Sequence, residues 1–308
     1  MREDALLRHI IGRASDPAWA GAGVVVGPGD DAAVVRTPSG DLLVMTVDQV
    51  VRGRHFVAGT PLDLVARKAI ARSVSDLAAM TAMPAWSLAT GALPEAYPQD
   101  EARELFDRMH FWAREFGCPL VGGDIAASAG DEMVLTVTAV GLLSRDTTPP
   151  LRSGAKVGDG VYVTGEIGGS FEVATGLGRH LTFVPRVREA RALAAMLGGE
   201  LHAMMDVSDG VGVDAGRIAR ASGVRVVIEG ERVPLAAGVG SVEAGIGQGE
   251  DYELLFTVAE GVEVPARCAA TGTKITRIGR VEAGAGVYLH VEGEMRGIEG
   301  AGWEHGGQ

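Results

Sequence analysis

The sequence is short of cysteine and lysine. Among 308 residues there are two cysteines, Cys118 and Cys268, and three lysines. The cysteines lie far apart and form no CxxC pattern, so neither a disulfide framework nor a structural zinc site is indicated. A reducing compartment suits such a chain, and we expect a cytoplasmic protein. Because lysine is scarce, contacts to phosphate would come chiefly from arginine, a metal ion and backbone N–H groups.

Positive charge is also in deficit. The chain has 40 acidic against 28 basic side chains and a formal net charge of -12, so a chain-wide basic footprint for nucleic acid or anionic lipid is absent. No apolar run approaches the roughly 18 residues of a membrane span. The first residues include Glu3 and Asp4, where a signal peptide would be basic. We therefore expect neither nucleic acid nor a membrane as a partner.

The length predicts two domains, since a typical domain has roughly 150 residues. Both halves mix alternating β-branched segments with segments of helical spacing, which indicates a mixed α/β or α+β fold. Two prolines in residues 144–150 indicate a linker, so the predicted domains are 1–148 and 149–308. The predicted helices include 61–82, 101–116, 170–178, 186–197 and 211–222. The predicted strands include 32–36, 42–47, 86–91, 133–143, 160–164, 224–228, 253–258, 275–281 and 287–290.

Seven aspartates lie at strand ends, at glycine turns or among small residues: Asp30, Asp31, Asp48, Asp76, Asp124, Asp206 and Asp209. Carboxylates without His or Cys partners favour Mg²⁺ that bridges phosphate oxygens. Singly, each has a simpler interpretation. The pair in GPGDDAAVV suits a turn cap, and Asp206 or Ser208 suits the N-cap of the helix that follows. Their repetition favours a common metal site.

Familiar nucleotide-binding and hydrolase motifs are missing. The absence of GxxxxGK[ST] excludes a P-loop kinase. GVGSVEAG and GEIGGS lack the complete GxGxxG of a dinucleotide fold, and neither a GxSxG elbow nor an HExxH pair occurs. Phosphoryl transfer chiefly requires positioning and charge neutralisation, which aspartates with Mg²⁺ supply. Arg152 is the arginine best placed for a phosphate, and an ion pair with a surface acidic residue is the equal alternative.

Seven blocks of sequence occur in an order that resembles the thiamine-monophosphate kinase family. The blocks are GDDAAVV (29–35), TVDQVVRGRHF (46–56), ARKAIARSVSDLAAMTAMPAW (66–86), VGGD (121–124), LRSGAKVGDGVYVTG (151–165), MDVSDGVGVDAGRIARASGV (205–224) and GEDYELLF (249–256). GEDYELLF and the terminal GWEH (302–305) favour this family over superfamily relatives such as aminoimidazole ribonucleotide synthetase.

The resemblance implies ATP-dependent phosphorylation of thiamine monophosphate to thiamine diphosphate, by direct in-line transfer with several Mg²⁺ ions. It implies metal ligands at Asp31, Thr46, Asp48, Asp76, Asp124, Asp206 and Asp209, with Asp48, Asp124 and Asp209 catalytic. It implies ATP contacts at Gly123, Asp124, Arg152 and Ser208, and thiamine-monophosphate contacts at His55, Glu250 and Trp303. It also implies a two-domain aminoimidazole ribonucleotide synthetase-like fold, in which the N-terminal domains of a homodimer form a β-barrel and the C-terminal domain is α/β.

Six residues depart from the family's pattern: Val47, Ser73, Ile125, Ala126, Gly169 and Gly306, the last where a terminal HF has become His305-Gly306. The aspartates themselves are retained. Two other functions therefore stay open. One is an ATP-using superfamily member with a different acceptor, and the other is a non-catalytic nucleotide-binding paralogue.

Overall fold

The computed structural model describes Leu6, residues 9–12 and residues 21–302. Its first half is built on a six-stranded sheet of order β1-β2-β3-β6-β4-β5. The strands are Val24–Val26 (β1), Ala33–Arg36 (β2), Leu42–Val51 (β3), Met83–Pro94 (β4), Leu120–Ser128 (β5) and Val134–Leu143 (β6). β4 and β5 are parallel, and the other neighbours are antiparallel. The described strands form an open sheet with β1 and β5 at its edges, rather than a closed barrel.

Two helices pack on this sheet, Leu62–Ala79 (α1) and Gln99–Glu115 (α2). α1 follows Pro61, carries Asp63 in its first turn, and ends before Thr81, whose φ of 58° breaks the helix. Most of its side chains are buried, because α1 lies between the two halves of the molecule and contacts strands of both. A helix enclosed in this way can carry polar groups only where partners satisfy them.

The second half is built on a seven-stranded mixed sheet of order β13-β12-β9-β11-β7-β10-β8. Its strands are Gly160–Thr164 (β7), Leu201–Asp206 (β8), Arg225–Glu229 (β9), Leu254–Val258 (β10), Ile275–Glu282 (β11), Gly286–Val291 (β12) and Glu294–Gly297 (β13). Its helices are Val187–Leu197 (α3), Val211–Ser222 (α4) and Val242–Gly247 (α5). The predicted linker, residues 144–150, lies between β6 of the first sheet and β7 of the second. Within the described part of the chain, every helix is too short or too polar to cross a membrane.

The main departures from the predicted elements occur where glycines determine the backbone. The helix predicted at 170–178 is wrong, since this segment is turn and coil. Gly176 and Gly178 adopt φ values of 68° and 134° there, which no right-handed helix accommodates. β5 was not predicted, because its Gly122-Gly123 pair is atypical of a strand. The sequence also predicts a helix over residues 3–13, from apolar residues at 6, 7, 10 and 11, and most of this segment lies outside the described residues.

Candidate active site

One face of α1 carries four polar side chains at helical spacing: Lys68, Arg72, Ser75 and Asp76. Each meets a partner from another element. The Arg72 guanidinium lies 3.4 Å from Asp48 Oδ1 on β3. Ser75 donates a 2.6 Å hydrogen bond to Asp206 Oδ2 at the end of β8. α1 thus joins groups from both sheets at one place.

Three carboxylates converge beside this face. Oxygens of Asp31, Asp76 and Asp206 all lie within 4.8 Å of one another. Asp31 follows the Gly-Pro-Gly turn before β2, Asp76 projects from α1, and Asp206 is the last residue of β8. Thr46 on β3 donates a hydrogen bond to Asp76. The three aspartates come from segments remote in sequence, so a turn-cap role does not explain their meeting.

Burial and mutual repulsion make this cluster electrostatically unfavourable without a cation. Burial, followed by the charges of Asp48 and Asp206, raises the pKa of Asp76 well above 3.8. Burial and the charge of Asp31 raise the pKa of Asp206 in the same direction. A divalent cation would relieve both effects. The available donors are carboxylate and hydroxyl oxygens, which fit Mg²⁺ and do not favour zinc.

Arg152 lies on the other side of the cluster. Its Nη2 is 2.7 Å from Asp31 Oδ1, and its backbone N–H donates to Asp30. Burial, followed by the charge of Asp31, raises the pKa of Asp30 to about 6, against the opposing influence of Arg152. The structure shows an ion pair of Arg152, but its partner is the buried Asp31 and not a surface acidic residue. Arg152 thus places a guanidinium beside the carboxylate cluster.

The turn between β8 and α4 carries Ser208 and Asp209. Asp214, on the first turn of α4, accepts hydrogen bonds at 3.1 Å from the backbone N–H groups of Asp209 and Gly210. Arg217 bridges the carboxylates of Asp209 and Asp214. The turn is therefore held rigidly at the end of β8, next to Asp206.

A cavity of about 310 Å³ opens beside this turn. Its walls come from both halves of the chain: Arg54, His55, Arg72, Phe171, Val173, Ser208, Asp209, Gly247, Gln248, Gly249, Glu250 and Tyr252. Tyr252 is almost fully buried and its ring stacks on Phe183 with centroids 3.8 Å apart. The cavity combines aromatic and aliphatic walls with a few charged groups, as is typical of small-molecule sites.

The sequence predictions fall into three groups in this geometry. The structure brings together Asp31, Thr46, Asp48, Asp76, Arg152 and Asp206 around the cluster, and His55, Ser208, Asp209 and Glu250 around the cavity. Gly123 and Asp124 lie elsewhere. They sit on β5, where the register aligns Gly123 with Asp48 across three strand spacings, about 14 Å. Trp303 lies outside the described residues.

Several side chains around the site were not predicted as functional. Lys68 and His180 contact Glu250 below the cavity, Arg72 contacts Asp48, and Arg217 contacts Asp209. Only Lys68 left a signal in the sequence, as one of three lysines placed in a helix otherwise rich in Ala and Val. The others are identified only by their three-dimensional contacts.

Comparisons with known proteins match both halves of the chain to known domains and most of the chain to named relatives. The AIR synthase related protein N-terminal domain matches residues 29–143, and the corresponding C-terminal domain matches residues 156–292. Thiamine-monophosphate kinase of Rhodopirellula baltica is 34% identical over 87% of this chain and 87% of its own length. That of Bacillus subtilis is 32% identical over 92% of this chain and 94% of its own.

A solved structure described as AaThiL complexed with AMPPCP and TMP superposes with a TM-score of 0.81 at 29% identity, covering 99% of this chain and 97% of the other. The chain therefore belongs to the thiamine-monophosphate kinase family of AIR synthase related proteins.

Proposed function

We propose that this protein transfers the γ-phosphoryl group of ATP to the phosphate of thiamine monophosphate and so forms thiamine diphosphate. The observation that carries the proposal is the meeting of Asp31, Asp76 and Asp206, from both halves of the chain, beside a cavity of substrate size. Such a cluster suits Mg²⁺-dependent phosphoryl transfer. The curated relatives bear the name of this activity.

The metal would be held by the three clustered carboxylates together with Thr46, Asp48 and Asp209. Bound there, Mg²⁺ supplies neutralisation of phosphate charge and a template for the two phosphates. Arg152 and Arg72 add positive charge beside the carboxylates. An acceptor phosphate oxygen is already ionised at neutral pH, so in-line attack needs no strong general base. That is consistent with a site rich in aspartate and arginine.

The cavity is the proposed acceptor pocket. His55 and Glu250 line it, as the family resemblance implies. Burial acts to raise the pKa of Glu250, but contacts with His180 and Lys68 outweigh it and lower that pKa to about 2. The side chain therefore carries a full negative charge at neutral pH and suits the cationic thiazolium ring. Trp303 would add an aromatic face.

Gly123 and Asp124 would act through a second copy of the chain. Their strand, β5, is a nine-residue edge strand on which Val121 and Ile125 are 62% and 58% exposed. Edge strands of this length and character pair readily with another chain. We propose a homodimer in which the two N-terminal sheets close into a barrel and bring Asp124 near the other copy's site, where it would contact ATP and metal.

The free, buried cysteines Cys118 and Cys268 support a reducing compartment such as the cytoplasm as the place of action.

An end-point assay tests the function. Purified protein is incubated with ATP, Mg²⁺ and thiamine monophosphate, and thiamine diphosphate is measured by chromatography, with each component omitted in turn. Product that requires all three supports the kinase. ADP release with another phosphorylated acceptor, and none with thiamine monophosphate, would favour a relative of altered specificity. Mg²⁺-dependent ATP binding without turnover would favour a non-catalytic paralogue.

A further inference from the structure

A lysine is fully buried where the two halves of the chain meet. The side chain of Lys68 has no exposed surface. Its ammonium donates to the carbonyl oxygen of His55 at 2.7 Å, and lies 2.8 Å from His180 Nδ1 and 2.6 Å from Glu250 Oε1. The His55 carbonyl and Glu250 Oε1 accept from two of the three N–H donors of the ammonium group, while His180 Nδ1 donates to the other carboxylate oxygen of Glu250.

Burial of a charge at this position is costly and must be compensated. Burial lowers the pKa of Lys68 to about 8, even with Glu250 beside it. The group is therefore mainly charged at neutral pH. Loss of one partner from such a buried pair leaves the other charge uncompensated, which is strongly unfavourable. The buried Lys68 ammonium therefore restricts the movement of the groups that contact it.

The three neighbours belong to three separate walls of the cavity. His55 and Glu250 line it directly. His180 belongs to the third wall. Its backbone N–H donates to the Ser170 carbonyl oxygen at 2.9 Å, and the centroid of its ring lies 5.1 Å from that of Phe171. Phe171 in turn faces the cavity. The Lys68 ammonium and the Glu250 carboxylate together therefore link three separate segments around the same space.

Glu250 needs such a constraint. Its φ of 65° lies in the left-handed region, which is unfavourable for a residue with a Cβ. Its backbone N–H donates to the Ser208 carbonyl at 2.7 Å. Both carboxylate oxygens have a partner: Oε1 contacts the Lys68 ammonium, and Oε2 lies 3.2 Å from His180 Nδ1. The strained backbone and the two contacts together give the carboxylate a single position.

We propose that Lys68 is a positioning residue for the acceptor, which sets the affinity for thiamine monophosphate by holding Glu250, the His55 segment and the Phe171 wall in register. The inference rests on the proposed function, because it takes the cavity as the acceptor pocket. Lys68 lies two helical turns from Asp76 on α1. ATP and metal, held at the carboxylate cluster, are expected to bind independently of it.

The first experiment compares Lys68→Met with wild type. The methionine keeps the length of the side chain and removes its charge and donors. The expected result is a rise of about tenfold or more in KM for thiamine monophosphate, with KM for ATP changed less than about twofold. Calorimetric titration with thiamine monophosphate, without ATP, should show the same loss of affinity. Lys156→Met, which removes an exposed lysine beside His202, should match wild type in both assays.

A coupling measurement separates positioning from general damage. If Lys68 acts through Glu250, adding Lys68→Met to Glu250→Gln should raise acceptor KM far less than Lys68→Met alone does in the wild-type background. Full additivity of the two effects overturns the proposal. So does an equal rise in the KM values of ATP and thiamine monophosphate.

His180 provides a second test that leaves the buried charge in place, in case Lys68→Met does not fold. His180→Asn puts an amide near the position of Nδ1 and is expected to keep acceptor KM within about threefold of wild type. His180→Leu removes the contact and is expected to raise it about tenfold. Equal acceptor KM in both variants overturns the proposal. Wild-type protein that makes no thiamine diphosphate overturns the proposed function instead, whereas normal wild-type turnover with unaffected variants overturns only this inference.

Discussion

Replacing Asp206 with asparagine should make the metal-free protein more stable while it abolishes efficient turnover. Asp206 is 2% exposed and its oxygens lie within 4.8 Å of those of Asp31 and Asp76. Asparagine has nearly the same shape and can still accept the hydrogen bond from Ser75. The change therefore removes a charge and little else.

The magnitude follows from Coulomb's law. Two unit charges at this separation repel by about 3.5 kcal/mol at an effective dielectric constant of about 20. The ion pair of Arg152 with Asp31 offsets roughly one of the two repulsions, and partial protonation of the cluster relieves more. A net gain of about 1–3 kcal/mol remains. For a chain of this size that corresponds to a Tm higher by about 1.5–5 °C.

The assay is thermal unfolding in EDTA at pH 8, repeated with excess Mg²⁺. Asp206→Asn should unfold at a higher temperature than wild type in EDTA and gain less from Mg²⁺, and its kcat should fall by about 100-fold or more. Asp159→Asn is the matched control. Asp159 is equally buried but pairs with His202 at 2.9 Å, so its loss should lower Tm and leave the Mg²⁺ response unchanged. A Tm in EDTA that falls equally in both variants would refute the repulsion argument.

Three further predictions concern pH, packing and assembly. The pKa of Asp30 is raised to about 6, and the pKa values of Asp76 and Asp206 lie well above 3.8. Above pH 3.8 these carboxyl groups therefore bind more protons in the folded metal-free protein than in the unfolded chain, so their contribution to stability falls as pH rises to 6 and beyond. The Tm gain from Mg²⁺ should accordingly be larger at pH 8 than at pH 5. Gly123→Ala should destabilise the protein by about 2 kcal/mol or more, since its Cβ would lie 1.8 Å from the Ala89 carbonyl oxygen, whereas Gly199→Ala, with nothing within 4 Å, should leave Tm within about 1 °C. If the protein forms the proposed homodimer through β5, Ile125→Lys should shift it to a monomer in sedimentation velocity and reduce turnover. An unchanged dimer would contradict an interface along β5.

The sequence predicted the elements whose patterns are local. The period of α1, the alternation of β3 and the breaks at glycine and proline each follow from neighbouring residues, and the structure contains these elements. The aspartates of the cluster were also among the predicted metal ligands, because seven aspartates recur at strand ends, at glycine turns or among small residues, although each alone has a simpler interpretation. What the residues alone could not decide was which of the aspartates converge.

The remaining features depend on contacts between distant segments. Arg152 could be expected near either a phosphate or a carboxylate, and only the fold shows Asp31 at 2.7 Å. In the sequence, Lys68 is one of several polar positions of a helix. Its role becomes visible only when the fold brings the His180 and Glu250 segments next to it. The predicted helix at 170–178 had acceptable spacing, yet Asp251 binds the backbone N–H of Gly168 and the Ser170 hydroxyl and holds the segment in another conformation.

The placement of four functional contacts on a single face of α1 fixes a length. Lys68 and Asp76 are eight residues apart, about 12 Å along the axis of a helix. The proposed acceptor pocket and the carboxylate cluster are thus separated by a rigid helix whose length changes only by whole residues. Inserting one residue would rotate one set by about 100° away from the other. A change toward longer or shorter acceptors is therefore easier through the loops that line the cavity, such as those of Phe171 and Gln248, than through α1.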